Sequence, residues 1–165
     1  MSNLNTIWIS SPPRTGSMWV FNITREIYKY LGFNVKPISI PQNDSEMFDI
    51  YKNQALNEKN REIKYILKVH TILKPNLLKS KIITTLRDPR DLCISFKEFM
   101  KSDFNSSFRA AKTVKSFSNI YKKFKDDYLL TIKYENIEKN STDQILNIAK
   151  FLNKELNIKQ AEQIS

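Results

Sequence analysis

Short apolar segments alternate along this chain with longer segments in which apolar residues recur at helical spacing. The first predicted helix ends at Gly32, and its apolar residues lie three or four positions apart: Val20, Ile23, Ile27 and Leu31. Strands are predicted at residues 7–9, 34–40, 66–70, 81–87 and 128–133, and further helices at residues 45–56, from Asp88 onward, at residues 107–125, and from Ser141 with a capping box to Gln144. This alternation predicts an α/β fold with a mostly parallel sheet and right-handed crossovers, and Pro37 places its strand towards an edge.

A polar turn at residues 10–19 joins the first predicted strand to the first helix and has the composition of an anion-binding loop. It contains one cation, Arg14, one central glycine, Gly16, and the hydroxyl groups of Thr15 and Ser17. Backbone N–H groups at the start of a helix have no partner within the helix, and the helix dipole adds positive potential there, so an anion is favoured. The turn differs from the nucleoside-triphosphate motif G-x-x-x-x-G-K-[ST], because serines stand where that motif has its first glycine and its lysine.

A second candidate anion site begins at the end of the strand predicted at residues 81–87. Arg87 ends this strand, and open α/β sheets bind their ligands at the carboxyl ends of strands. Asp88 and Pro89 then supply an N-cap and a first helical residue. Ser95 lies about two helical turns further on, so Arg87 and Ser95 are expected to converge on one anion.

The single histidine of the chain, His70, ends the strand predicted at residues 66–70. Lys68 lies two residues earlier and therefore projects from the same face of the strand. A lone histidine on a strand also fits a structural role, but this strand end belongs to the sheet edge that carries both candidate anion sites. A neutral imidazole accepts a hydroxyl proton near pH 7, so His70 is a candidate general base. The next candidates are Glu46 and Asp49.

Segments in chain order resemble the signatures of the sulfotransferases that use 3′-phosphoadenosine 5′-phosphosulfate (PAPS). Residues 13–19, Pro-Arg-Thr-Gly-Ser-Met-Trp, resemble the family's 5′-phosphosulfate loop, Pro-(Lys/Arg)-Ser-Gly-Thr-Thr-Trp. Residues 87–95 match the family's 3′-phosphate signature, Arg-x-x-(Lys/Arg)-Asp-x-x-x-Ser, in residue type and spacing. Lys68-Val69-His70 resembles the family's Lys-Thr-His. Leu77-Leu78 and Tyr134-Glu135-Asn136 also resemble family segments, and the similarity extends from residue 7 to about residue 152.

The resemblance implies a fold, a reaction and a set of site residues. The fold is a three-layer α/β sandwich of the P-loop kinase type, formed by residues 1–165 as one domain with a short C-terminal part. The reaction transfers a sulfuryl group from PAPS to a hydroxyl or amine of a small-molecule or carbohydrate acceptor, releases 3′,5′-adenosine bisphosphate (PAP), and needs no metal. The catalytic residues would be His70 as general base, Arg14 and Lys68. The cofactor-binding residues would be Arg14, Thr15, Gly16, Ser17, Met18, Trp19, Arg87 and Ser95.

The chain departs from the family pattern at three points. Met18 replaces a hydroxyl residue of the loop, and Arg14 stands where the cytosolic enzymes have lysine. The family's C-terminal Arg-Lys-Gly segment, which helps to hold the 3′-phosphate, has no counterpart before Ser165. The expectation is a more open cofactor site, in an enzyme that is either minimal or a poor catalyst.

Composition and charge restrict the other functions. The formal net charge of +10 implies anionic partners, which leaves open a basic nucleic-acid-binding module, although nucleic acid is not the expected partner. A small-molecule kinase of the same fold also stays open, although the kinase lysine is missing. The chain has no signal-peptide pattern and no apolar run of about 18 residues that would span a membrane, so a cytoplasmic location is expected. The single cysteine, Cys93, excludes an internal disulfide and is predicted as a small core residue.

Overall fold

The computed structural model describes residues 5–73, 80–124 and 127–165. Five strands lie in these ranges: β1 (Thr6–Ser10), β2 (Asn34–Lys36), β3 (Ile63–Val69), β4 (Lys81–Leu86) and β5 (Leu129–Lys133). Seven α-helices lie in the same ranges: α1 (Ser17–Tyr30), α2 (Asp44–Asn53), α3 (Pro89–Met100), α4 (Phe104–Tyr121), α5 (Tyr134–Lys139), α6 (Ser141–Phe151) and α7 (Ile158–Ile164). None of these helices is long and apolar enough to cross a membrane.

The five strands form one parallel sheet in the order β2-β3-β1-β4-β5, which confirms the predicted α/β fold. β1 lies at the centre, where Ser10 is beside Val69 of β3 and Ile9 is beside Ile83 of β4. The short β2 lies at one edge, as Pro37 predicted. The chain places β3 on one side of β1 and then crosses to β4 on the other side, so a crevice opens at the carboxyl ends of these three strands.

Helices cover both faces of the sheet and give the three layers expected. Side chains alternate between the two faces along a strand, so Trp8 and Ile7 of β1 point in opposite directions. The fully buried Trp8 ring packs against Phe48 of α2, with ring centroids 5.5 Å apart. Lys81 lies beside Ile7 in the register and donates to the carbonyl of Phe151 in α6, so α6 covers the other face.

Side-chain caps begin helices earlier than hydrophobic periodicity predicted. α4 begins at Phe104 rather than at residue 107, because the Asp103 carboxylate accepts from the N–H group of Ser106 and satisfies a donor of the first turn. The helix ends at Tyr121 rather than at residue 125. Lys125, the last residue of the predicted helix, lies outside the described residues. Similarly, α2 begins one residue early and ends at Asn53, before a 3₁₀ turn.

The predicted capping box between Ser141 and Gln144 is wrong by one residue. Asn140 is the N-cap of α6, and its side chain accepts from the N–H group of Asp143, while Ser141 is already the first helical residue. Asparagine and serine cap helices about equally well, so their sequence preference does not separate the two positions. A capping box does form at Asn157, at the start of α7, a helix that was not predicted.

Cys93 lies in a small apolar cluster between α3 and α4, as predicted. The cluster contains Leu92, Ala111 and Val114 together with this buried thiol. It is separate from the main core, which surrounds the sheet. The small cluster packs α3 against α4, and α4 in turn reaches the main core through Phe117 and Tyr121.

Candidate active site

The polar turn between β1 and α1 lies at the carboxyl edge of the sheet, at the crevice. Residues 11–16 form this turn, which we call the anion loop. The first amide to bond within α1 is that of Val20, which donates to the Gly16 carbonyl at 3.1 Å. The helix therefore offers no acceptor to the three N–H groups before Val20, and these groups are suited to an anion.

Hydroxyl groups hold the anion loop onto β4. The buried Ser11 Oγ accepts from the N–H group of Thr85 at 2.9 Å. Thr15 Oγ1 donates to the Pro12 carbonyl at 2.8 Å, and it therefore accepts from the Thr85 hydroxyl at 2.6 Å. The Thr15 hydroxyl is thus used within the protein, and its backbone amide is the part that remains for a ligand.

Gly16 lets the anion loop close against α5. Its φ of 87° lies in the left-handed region that side chains disfavour. A Cβ atom at this position would come within 3.0 Å of the Tyr134 ring and 3.1 Å of Ile137. Both the backbone angle and the close approach therefore require glycine. Arg14, two residues earlier, also has a positive φ, of 62°.

The two predicted arginines converge beside the anion loop. Arg14 Nε donates to Ser95 Oγ at 3.3 Å, and Arg87 Nη1 donates to the Arg14 carbonyl at 3.4 Å. The Arg87 guanidinium lies over the Tyr134 ring at 4.1 Å, and that of Arg14 lies over Phe99 at 4.0 Å. Within the described ranges neither arginine pairs with a carboxylate, and Arg87 Nε is buried without a hydrogen-bond partner. Such unneutralised guanidinium groups are suited to phosphate.

Arg90, in contrast, is already neutralised. Asp88 caps α3 by accepting from the Arg90 N–H group at 2.8 Å, and Arg90 Nη2 contacts Asp88 Oδ2 at 2.7 Å. These hydrogen bonds from Arg90 lower the pKa of Asp88 to about 2. The Asp88 N–H group donates to Glu135 Oε1 at 2.9 Å, which ties the start of α3 to α5. Of the two arginines around Asp88, Arg87 is the one left for a ligand.

His70 directly follows β3 and reaches the anion loop. Its Nδ1 lies 2.8 Å from the Ser11 carbonyl, and because a carbonyl only accepts, we assign the proton to Nδ1 and the lone pair to Nε2. Lys68 Nζ lies 3.2 Å from Nε2, so the two side chains share one face as predicted. Although His70 is exposed, its surroundings desolvate the imidazolium and lower the pKa of His70, and burial also lowers the pKa of Lys68. At neutral pH the imidazole is an uncharged base.

The carboxylate that reaches His70 is that of Asp44, rather than Glu46 or Asp49. Its two oxygens accept from the backbone N–H group of His70 at 3.0 and 2.9 Å, and one of them accepts from the Thr71 hydroxyl at 2.8 Å. Glu46 instead bonds to residues at the start of its own helix. These contacts join α2 to the end of β3, 26 residues away, so no local sequence motif could have found Asp44.

The remaining predicted residues occupy the start of α1. Ser17 is buried, Met18 is exposed, and Trp19 is half-buried against the main core. Leu77-Leu78 lies outside the described residues.

Within the described residues, no group of three or more His, Cys, Asp and Glu side chains could hold a metal. A cavity of about 910 Å³ lies along β5 and contains none of the site residues named above.

Comparison with known proteins places this site in a family. The model of the sulfotransferase domain matches residues 4–165. The amine sulfotransferase of the rabbit, Oryctolagus cuniculus, is 27% identical over an alignment of 179 residues. The alignment covers 96% of this chain and 59% of the relative. The chain therefore spans less than two thirds of that curated relative.

Solved structures share the fold at low sequence identity. A mouse sulfotransferase, SULT7A1, complexed with PAP has a TM-score of 0.70 and 17% identity, covering 98% of this chain and 62% of that one. Retinol dehydratase in complex with retinol and PAP has a TM-score of 0.68 and 18% identity, covering 97% and 63%. The sulfotransferase from Alicyclobacillus acidocaldarius has a TM-score of 0.55 and 12% identity, covering 90% and 81%. With the family model matched over residues 4–165, this chain belongs to the sulfotransferase domain family.

Proposed function

We propose that this protein transfers a sulfuryl group from PAPS to a hydroxyl or amine of an acceptor. The observation that carries the proposal is the meeting of three features at one sheet edge. These are the available amides at the start of α1, two arginines that pair with no carboxylate among the described residues, and an imidazole whose Nε2 holds the lone pair. Membership of the sulfotransferase domain family supports the same reaction.

The donor would be held by the anion loop and by Arg87. We assign its 5′-phosphosulfate to Arg14 and to the amides of residues 15–18, and its 3′-phosphate to Arg87 and Ser95. Among the described residues, the buried Nε of Arg87 has no hydrogen-bond partner and the amides before Val20 have no helical acceptor, so the donor set fits an anion at both ends. We assign the adenine to Trp19, which is half-buried at the start of α1. Two solved neighbours carry PAP, the product that such a donor leaves, which supports the assignment.

The chemistry would need one base and one cation at the leaving group. His70 Nε2 takes the acceptor's proton as the acceptor oxygen or nitrogen forms its bond to sulfur. The bond between sulfur and the phosphate oxygen breaks, and PAP departs with the electron pair. Arg14 neutralises the charge that grows on this phosphate, and Lys68 is placed to turn from His70 to the sulfuryl oxygens. In this scheme His70 takes the proton, the acceptor takes the sulfuryl group and Arg14 neutralises the charge, so the reaction needs no metal.

The acceptor is proposed to be a small molecule or a carbohydrate. Retinol dehydratase is solved with retinol in one complex and with androsterone in another, and the rabbit relative is an amine sulfotransferase, so small acceptors support this class. We expect residues 36–62 and 99–115 to line the acceptor pocket, and Asp44, in the first of these ranges, accepts from the backbone N–H group of His70.

The proposal is tested by calorimetry with PAP and by a turnover assay with labelled PAPS and a panel of sugar, phenol, alkyl and amine acceptors. His70→Ala should leave PAP affinity within about twofold and reduce transfer by roughly 10² to 10⁴. Transfer should rise with pH as His70 loses its proton, with the acid limb below the ordinary histidine pKa, because burial lowers the pKa of His70. Full transfer by His70→Ala would show that His70 is not the general base. Mg²⁺-dependent ATP binding without PAP binding would favour a kinase.

A further inference from the structure

The first residue of α2 is bonded to the chain just beyond β3. Asp44 Oδ1 and Oδ2 accept from the backbone N–H group of His70 at 3.0 and 2.9 Å, and Oδ2 also accepts from the Thr71 hydroxyl at 2.8 Å. Asp44 is half-buried in the first turn of α2, where the helix dipole favours a carboxylate. It therefore cross-links α2 to the chain beyond β3, in addition to the ring contacts that Phe48 and Tyr51 of α2 make with Trp8 of β1.

We propose that Asp44 is a positioning residue that holds His70 in place to take the acceptor's proton. This inference rests on the proposed function. β3 ends at Val69, so the next N–H group lies beyond the strand, and the Asp44 carboxylate supplies its partner. On the other side of the chain, Ser10 Oγ donates to the Thr71 carbonyl at 2.6 Å. The backbone that carries the imidazole is thus fixed from both sides.

The same carboxylate sets the charge around the imidazole. Within the described residues, the charged groups that face His70 are Lys68 from β3 and Asp44 from α2, and the anion loop contributes the neutral Ser11 carbonyl. The Lys68 ammonium disfavours the imidazolium, whereas the Asp44 carboxylate favours it. Removal of the carboxylate charge should therefore lower the pKa of His70 further, in addition to loosening the ring.

Two substitutions separate the bonds from the charge. Asp44→Asn keeps a side-chain oxygen that accepts a hydrogen bond but removes the charge, and Asp44→Ala removes both. Lys52→Gln removes a charge from an exposed residue of the same helix that has no part in the proposed site, and it serves as the control. Because the chain has one histidine, its NMR titration reports His70 without an assignment problem, and it does so independently of turnover.

The expected results differ between the variants. Asp44→Asn should lower the NMR midpoint of His70 and move the acid limb of turnover to lower pH by the same amount, while Lys52→Gln should change neither. Asp44→Ala should reduce kcat at least about tenfold with PAP affinity within about twofold, because the base rather than the donor site is displaced. Asp44→Asn should recover part of that loss at high pH. Thermal melting of each variant confirms that it is folded.

An unchanged His70 midpoint in Asp44→Asn, or a kcat for Asp44→Ala within about twofold of the parent, would overturn the inference. Equal losses in the Asp44 variants and in Lys52→Gln would overturn it as well, since they would indicate general destabilisation of α2. The proposed function fails by a different result, which is full transfer by His70→Ala. In that case the NMR midpoint still decides whether Asp44 controls His70.

Discussion

Arg87 and Arg90 are three residues apart, and their partners give them opposite roles. Arg90 pairs with the Asp88 carboxylate, whereas Arg87 lies over the Tyr134 ring, and its buried Nε has no hydrogen-bond partner among the described residues. A guanidinium on an aromatic face stays charged and keeps its donors available for an oxyanion. We therefore expect Arg87, rather than Arg90, to bind a phosphate.

This difference gives a prediction about nucleotide selectivity. PAP should bind at least about tenfold more tightly than 5′-AMP, because a charge-assisted contact to the 3′-phosphate contributes roughly 1.5 to 3 kcal/mol. Arg87→Ala should abolish the preference with little change for 5′-AMP, and the control Arg90→Ala should retain it. Calorimetry with both nucleotides measures the ratio, and equal affinities in the unmodified protein would contradict the assignment of Arg87.

The sequence predicts those site residues that stand at the end of a strand or in a short motif. Arg87 and His70 each follow a strand directly, so a parallel sheet alone places them at one edge. Their supports come from distant parts of the chain: Tyr134 lies under Arg87, and Asp44 holds the backbone of His70. Such contacts depend on how helices pack, and the spacing of residues along the chain does not encode that packing.

At the scale of elements, the junction between β1 and α1 depends on a single glycine. Gly16 and Gly32 have similar positive φ values, of 87° and 81°, at the two ends of α1. Their surroundings differ, because a Cβ at Gly16 would meet α5 at 3.0 Å, while a Cβ at Gly32 would meet no atom of the described residues within 4 Å. The start of the helix is therefore tightly packed, whereas its end is open.

Gly16→Ala should therefore do more damage than Gly32→Ala. Both substitutions carry the cost of a left-handed residue, on the order of 1 kcal/mol, but Gly16→Ala must in addition push the Tyr134 ring away from the anion loop. We expect Gly16→Ala to unfold at lower denaturant and to bind PAP at least about tenfold more weakly, since it displaces the loop amides and the support of Arg87. Gly32→Ala should lower the stability of the protein but leave PAP affinity unchanged. Equal PAP affinities in the two variants would contradict this account of the loop.

Hydrophobic periodicity predicted β1, β4 and β5 to within one residue at each end, but β2 ends at Lys36 rather than at residue 40, and β3 begins at Ile63 rather than at residue 66. An inner strand such as β4 is largely buried on both faces, so an apolar run marks it clearly. The start of a helix depends on which side chain accepts a backbone N–H group, and near α4 and α6 that residue is Asp103 or Asn140 rather than the first apolar position. Neighbouring asparagine, serine and aspartate residues offer equivalent caps in sequence, and only packing selects one.

At the scale of the whole molecule, the charge of +10 has few internal partners. In the described ranges only two ion pairs form between side chains, Lys29 with Glu26 and Arg90 with Asp88, and both join residues close in sequence. Most of the positive charge is therefore available to anions, and a bound dianion relieves part of its self-repulsion. Ligand binding should thus be visible as a change in global stability.

PAP at 100 times its dissociation constant should stabilise the folded protein by about 2.7 kcal/mol, measured as a rise in melting temperature. The rise should shrink with added salt, which screens the arginines, and Mg²⁺ should not increase it. Duplex DNA at equal phosphate concentration is the control. If DNA stabilises the protein as strongly as PAP, with a steep salt dependence, the nucleic-acid-binding alternative is favoured instead.

The Ser11 carbonyl joins two parts of the molecule that are 59 residues apart in sequence. It begins the anion loop, and it also decides which nitrogen of His70 carries the proton. A mutation that shifts the loop backbone is therefore expected to alter anion binding and the acid–base behaviour of the histidine together. Substitutions in residues 11–16 and in residues 68–70 should thus depend on one another.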